Sequence, residues 1–180
     1  LNLEELPVAG LHNAANALAA AALCHAIEVG VLELTPFTVP HDAREPTQFV
    51  FTHAGKRLGV LTDTGCATAC IVEHLSLCDA LVLECNHDRD MLMNGNYPHA
   101  LKQRIAGRLG HLDNHAASGL LRALRMHDKS RLQHVIAAHL SKQNNTPALA
   151  RRALAQALDC ADEWIGVGTQ DEGFAWRDIR

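Results

Sequence analysis

Aromatic side chains are scarce: four phenylalanines, two tryptophans and one tyrosine make up 4 % of the 180 residues. Trp164 and Trp176 fall in the last apolar stretches and read as core or interface residues, with no stacking role implied. Closely paired cysteines are absent too. Cys24, Cys66, Cys70, Cys78, Cys85 and Cys160 form no Cys-x-x-Cys pair and no short disulfide framework. They read as free, mostly buried thiols in a reducing cytoplasm. Cys66 and Cys70 share a helical face, with no histidine arranged around them, so core packing is expected there. Positive charge is not in excess: the net charge of −4 rules out a global basic field that would draw in nucleic acid. No charged–apolar–small leader opens the chain, and the Ala-rich stretch 14–24 is too short to span a bilayer. No membrane association is expected. The chain opens on Leu1 rather than Met, which reads as a fragment, a processed product or an engineered chain.

What is present is an apolar fraction of 48 % and a charged fraction of 20 %, the balance of a globular domain able to bury a core. Twelve histidines are an excess for this length and point to metal chemistry. Residues 11–27, LHNAANALAAAALCHAI, read as a helix apolar on almost every side. The composition then turns β-branched. A strand is expected over 29–40, a hairpin around Ala54-Gly55-Lys56, a helix over 66–77 and a buried strand over 79–85. A polar loop follows (86–98), then helices over 99–108 and 113–126, a strand over 132–139, a helix over 146–158 and strands over 163–168 and 173–179. Helices alternating with strands predict an α/β architecture, a mixed sheet covered by helices.

Three residues stand where apolar runs stop and turn-forming residues begin: His41 in VPHDA, Asp63 in LTDTG and His139 in AAHLS. Side chains presented at strand tips can be aimed together at a divalent metal, with neutral imidazoles and a carboxylate as ligands. The hairpin between His41 and Asp63 would return the chain to the same sheet edge. Ser141 and Asn144, in HLSKQNN, are placed to cap the next helix or to orient the His139 ring. Lys102, Arg104, Arg108, Arg122, Arg125 and Arg131 form a loosely basic region, read either as a phosphate track or as a solvated helix face.

The segments VPHDAREPTQFVF, RLGVLTDTG, LVLECNHDRDML, YPHALKQRI, GHLDNHAA and AHLSKQNN occur in an order that resembles the nuclease-like branch of the metallo-β-lactamase superfamily, from about residue 27 to the end. The resemblance implies half of an αββα sandwich, with His41, Asp63 and His139 as ligands and Asp63 as the bridging carboxylate. It implies that His111 contacts the scissile phosphate or protonates the leaving oxygen. Asp42, Glu84, Asn86, His87, Asp88 and Ser141 are implied as supporting or substrate-contacting residues. The metal would be zinc or manganese, and nucleic acid enters as a partner through the resemblance alone. The His-x-His-x-Asp-His cluster that opens the family's metal site does not occur. The expected molecule is thus a remnant of a phosphodiesterase with an incomplete dinuclear site, inactive and at most weakly metal-binding. The alternatives are a non-enzymatic, self-associating chimera and an active enzyme completed by a second subunit.

Residues 1–26 depart from this pattern. Gly10, His12, Asn13 and Asn16 are similar to a stretch of the Mur ligases, most closely the D-glutamate-adding enzyme, where it opens a helix beside the nucleotide. With no phosphate loop following, nucleotide binding is not expected. The division expected is a helical segment 1–26 fused to a domain 27–180, with homodimerisation through an exposed sheet face.

Overall fold

A computed structural model describes residues 32–126, 130–169, 171 and 173–180. The expected helix over 11–27 and its Mur-like residues lie outside the described residues. Strands β1 (Glu33–Thr38), β2 (Thr47–His53) and β3 (Lys56–Leu61) form an antiparallel meander. The β2–β3 turn is the predicted one: Ala54 and Gly55 both take positive φ (48° and 76°), the backbone that matches strand twist in a two-residue hairpin. Strands β4 (Ala80–Glu84), β5 (His134–Ala138) and β6 (Gly166–Val167) then add in parallel, giving one six-stranded mixed sheet in sequential order.

Parallel neighbours need crossovers, and helices supply them. Helix α1 (Ala69–Leu75) links β3 to β4. Helices α2 (Arg89–Asn94), α3 (His99–Ile105) and α4 (Asn114–Arg125) lie between β4 and β5, and α5 (Pro147–Leu158) precedes β6. Side-chain caps fix the starts of four of them: Thr68, Asp88, Asp113 and Thr146 accept from the backbone amides of Ile71, Met91, Ala116 and Leu149, while α3 starts after Pro98 with no such bond. No helix among the described residues is long and apolar enough to cross a membrane.

Strand pleating sorts the sheet into two faces. Phe37, Val50, Leu61, Leu81, Leu83, Val135 and Ala137 join Ile71, Leu75, Leu121 and Leu154 of the helices in one buried cluster. By register, Phe49, Phe51, Leu58, Val60, Val82 and Ile136 fall on the other face. None belongs to the cluster that the helices enter.

Three sequence readings are corrected. The loop expected over 86–98 contains α2, which the pattern hid because Leu92 is its single buried residue. The strand expected over 173–179 is not formed; among the described residues one bridge, Thr169 to Gly173, is the strand pairing there. Trp176 is 83 % exposed and Trp164 sits on a 3-10 turn (Asp162–Trp164), so neither is a core residue.

Candidate metal centre

In a mixed α/β sheet the crevice beyond the carboxyl ends of the strands is where side chains from separate strands meet. Strand β1 runs in the same direction as β3, β4 and β5, so all four end at one edge. His41 follows β1, Asp63 lies two residues past β3, Glu84 is the last residue of β4 and His139 is the first residue after β5. The loops behind them are stitched together by backbone bonds: Gly65 N–H donates to the Pro40 carbonyl at 2.8 Å and Asp42 N–H to the Leu109 carbonyl at 2.9 Å. A Cβ at Gly65 would lie 2.4 Å from the backbone of Arg108, so a glycine is needed for these loops to touch.

The side chains converge. Nε2 of His41 stands 3.9 Å, and Nε2 of His139 3.7 Å, from Oδ1 of Asp63. His111 Nδ1 is 3.6 Å from the same oxygen. Donor atoms of Asp63, Glu84, His111 and His139 all lie within 4.8 Å of one another. Asp63 and His139 both adopt left-handed backbone, with φ of 52° and 57°. Non-glycine residues there carry local strain, and such strain clusters at functional sites.

Glu84 organises the cluster. It is fully buried, and its Oε1 accepts from His111 Nδ1 at 2.8 Å and His139 Nδ1 at 2.7 Å. Its Oε2 accepts from the amides of Thr64 at 3.0 Å and Leu112 at 3.3 Å. Burial alone would disfavour the charge, but the bonds from His111, His139 and Thr64 overcome it and pull the pKa down to about 2. In return the Glu84 bond raises the pKa of His139 against the opposing effect of burial. His41 donates Nδ1–H to the Gly110 carbonyl at 3.0 Å. With Nδ1 committed on His41 and His139, each neutral ring carries its lone pair on Nε2, facing Asp63. Among the described residues, Asp63, Glu84, His111 and His139 form the group whose donor atoms lie close enough to share a divalent cation; His41 stands outside that group and faces Asp63 at 3.9 Å.

The other predicted residues are dispersed. The Asp42 carboxylate pairs with Arg104 at 2.5 Å, which lowers its pKa, and lies 3.7 Å from His41 Nε2. Asn86 holds the His139 carbonyl through Nδ2 at 3.2 Å. Asp88 caps α2, away from the cluster. Ser141 accepts from the amide of Asn144 at 3.2 Å; Thr146, not Ser141 or Asn144, caps the helix that follows, and Glu84 rather than Ser141 orients the His139 ring. His87 is 1 % exposed, neither ring nitrogen has a hydrogen-bond partner, and burial holds its pKa below the usual value. The basic region does not form one track: Arg131 pairs with Asp79, Arg125 with the Leu158 carbonyl, Lys102 with the Met93 carbonyl.

Fold and site together define a metallo-β-lactamase-type α/β protein with a donor cluster suited to a divalent metal. Residues 6–140 match the family model of the beta-lactamase superfamily domain, and the chain belongs to that family. It is 37 % identical over 141 residues to Exodeoxyribonuclease YycJ of Bacillus anthracis, covering 77 % of this chain and 51 % of that protein. It is 35 % identical over 139 residues to Exodeoxyribonuclease WalJ of Streptococcus pneumoniae, with 77 % and 50 % covered. Among solved structures, the metallo-beta-lactamase fold protein YhfI of Bacillus subtilis superposes with a TM-score of 0.57 at 14 % identity, over 83 % of this chain and 51 % of that one, and bears on the fold alone. The chain spans about half the length of the curated relatives it matches. The family match starts inside the segment 1–26, and the Mur-ligase likeness of that segment finds no support in these comparisons.

Proposed function

We propose that this chain holds part of the divalent-metal centre of a hydrolase that cuts phosphodiester bonds in nucleic acid, with zinc or manganese as the metal. One observation carries the reading: the free Nε2 atoms of His41 and His139 both face Oδ1 of Asp63. The names of the exodeoxyribonuclease relatives supply the substrate class. A bound cation would polarise a phosphoryl oxygen and a water molecule. The chain's own residues supply orientation and a proton. Glu84 fixes the rings of His111 and His139. His111, with Nδ1 turned to Glu84, delivers a proton from Nε2 to the leaving oxygen.

His41, Asp63 and His139 make up part of a dinuclear ligand set. This chain by itself therefore binds metal weakly and hydrolyses slowly or not at all. Elemental analysis and calorimetric zinc titration of the chain, of His41→Ala and of His139→Ala test the reading. Binding near one zinc per chain, weakened in both variants, is expected; no binding, or binding indifferent to both substitutions, overturns it.

A second reading rests on the apolar sheet face that the described helices do not enter, where Phe51, Leu58, Val60 and Val82 are partly exposed while Phe49 and Ile136 are already buried. That face supports a homodimer in which a second copy covers it and helps to complete the site. The free thiols of the five described cysteines fit a cytoplasmic location.

A further inference from the structure

The metal centre opens on one side into a small cleft lined by His41, Asp42, Arg104, Ile105, Gly110 and His111. Two of these residues belong to the cluster already described. The opposite wall is the last turn of α3, and its functional group is the guanidinium of Arg104. We propose that Arg104 binds a non-bridging oxygen of the phosphate next to the scissile one in a nucleic-acid strand, held in position by Asp42. The proposal rests on the phosphodiesterase reading above and names how the same site grips its substrate.

The geometry separates the two roles. Asp42 Oδ2 takes the Nε–H of Arg104, while the side chain of Arg104 remains 66 % exposed. A guanidinium has five N–H donors in a rigid plane. Anchoring at Nε fixes the direction of that plane and leaves the terminal nitrogens for a ligand, the arrangement that matches phosphate oxygens two at a time. Asp42 is itself tied down, because its amide donates to the Leu109 carbonyl. Asp42 is thus a positioning residue and Arg104 the binding residue.

Charge elsewhere makes a local grip necessary. With a net charge of −4 the chain offers no long-range pull on a polyanion. Arg89 is anchored at Nε by Asp113 in the same way and is 62 % exposed, but it does not line the cleft; Arg131 is bound to Asp79 and Lys102 to a backbone carbonyl. Arg104 is the cation that lines the cleft beside His41 and His111.

The test is equilibrium binding of the zinc-loaded chain to a fluorescent single-stranded oligothymidylate, read by anisotropy at fixed salt. It is repeated with an oligomer whose linkages are neutral methylphosphonates. Arg104→Ala should weaken binding of the charged oligomer by about tenfold or more and remove the preference for it over the neutral one. Arg104→Lys should fall between, since a point charge cannot form the planar fork. Arg122→Ala, which removes the same charge from an exposed site on α4, should change affinity by less than about twofold. Zinc stoichiometry should be the same in all variants. Equal losses in Arg104→Ala and Arg122→Ala, or no binding by the unsubstituted chain while zinc is bound, would overturn the role of Arg104 and leave the metal centre standing. Absence of zinc binding together with an Arg104-dependent preference for charged linkages would remove the metal reading and keep the phosphate contact.

Discussion

Replacing Glu84 by glutamine removes the one charge that two imidazoles share. Its folded pKa of about 2 lies below the unfolded value, so its charge stabilises the fold above pH ~4 and that contribution is lost as pH falls towards ~2. The effect is on the order of 3 kcal/mol for a group this buried. Denaturant midpoints should therefore show Glu84→Gln clearly weaker than the unsubstituted chain at pH 7, with the gap closing below pH ~4. A gap independent of pH would mean that shape, not charge, is what Glu84 supplies. His139 has the opposite sign. Its pKa is raised, so its ion pair with Glu84 adds stability below pH ~6.5 and loses it as pH rises through the raised value. Metal binding needs the neutral ring, so apparent zinc affinity should begin to fall at a pH above ~6.5 as the solution is acidified. In Glu84→Gln the fall should move to lower pH, and zinc titrations across pH 5 to 8 would show whether it does. His41, Asp63 and His139 were legible in the sequence because each ends an apolar run at a turn. The organising part of Glu84 was not. A glutamate closing a buried strand looks the same whether it meets solvent or two histidines 27 and 55 positions further on.

At the scale of elements, the loops that carry the site matter more than the strands that aim it. The loop after β3 touches the turn at Arg108 so closely that Gly65→Ala must push one of them away, and backbone atoms cannot yield as a side-chain tip can. That turn precedes His111. We expect Gly65→Ala to cost about 1–3 kcal/mol and to weaken zinc binding as well. The alanine at Gly59 meets the ends of the Leu75 and Leu81 side chains instead, so Gly59→Ala should lower stability without disturbing the metal site. Thermal melts with parallel zinc titrations separate the two cases; equal metal affinity in both variants would refute the loop argument. The strand and helix order of the central region was readable from periodicity, and the hairpin from its turn residues. The ends were not. Helix α2 depends on one buried leucine and a capping aspartate, too little apolar periodicity to register. The stretch 173–179 carries phenylalanine and tryptophan, whose strand preference expresses packing on a half-buried surface; here both rings are exposed.

For the molecule as a whole, the apolar second face of the sheet sets the expected behaviour in solution. Light scattering should give a mass near twice 19.5 kDa, and Val60→Lys, which places a charge on that face, should return it to one chain while leaving zinc stoichiometry unchanged. A single-chain mass without the substitution would leave another part of the polypeptide to cover the face. Turnover of bis-p-nitrophenyl phosphate should be absent or very slow, since a single cation lacks the partner that steadies a leaving oxygen. Rapid turnover abolished by His41→Ala would show that the ligand set is completed in a way the described residues do not reveal. The left-handed backbone at Asp63 and His139 carries a further implication, for how such a protein can change over generations. Asp63→Gly relaxes that backbone and gives up no bond shorter than 3.6 Å, so it should stabilise the fold by up to about 1 kcal/mol and raise the melting temperature. His139→Gly relaxes the backbone equally but forfeits the 2.7 Å bond to Glu84, a loss of about 1.5–3 kcal/mol that leaves it the less stable variant. Mutation would thus find a downhill route out of metal binding through Asp63 and an uphill one through His139. In a lineage freed from selection for metal, the aspartate should be erased first and the histidine should linger as a fossil.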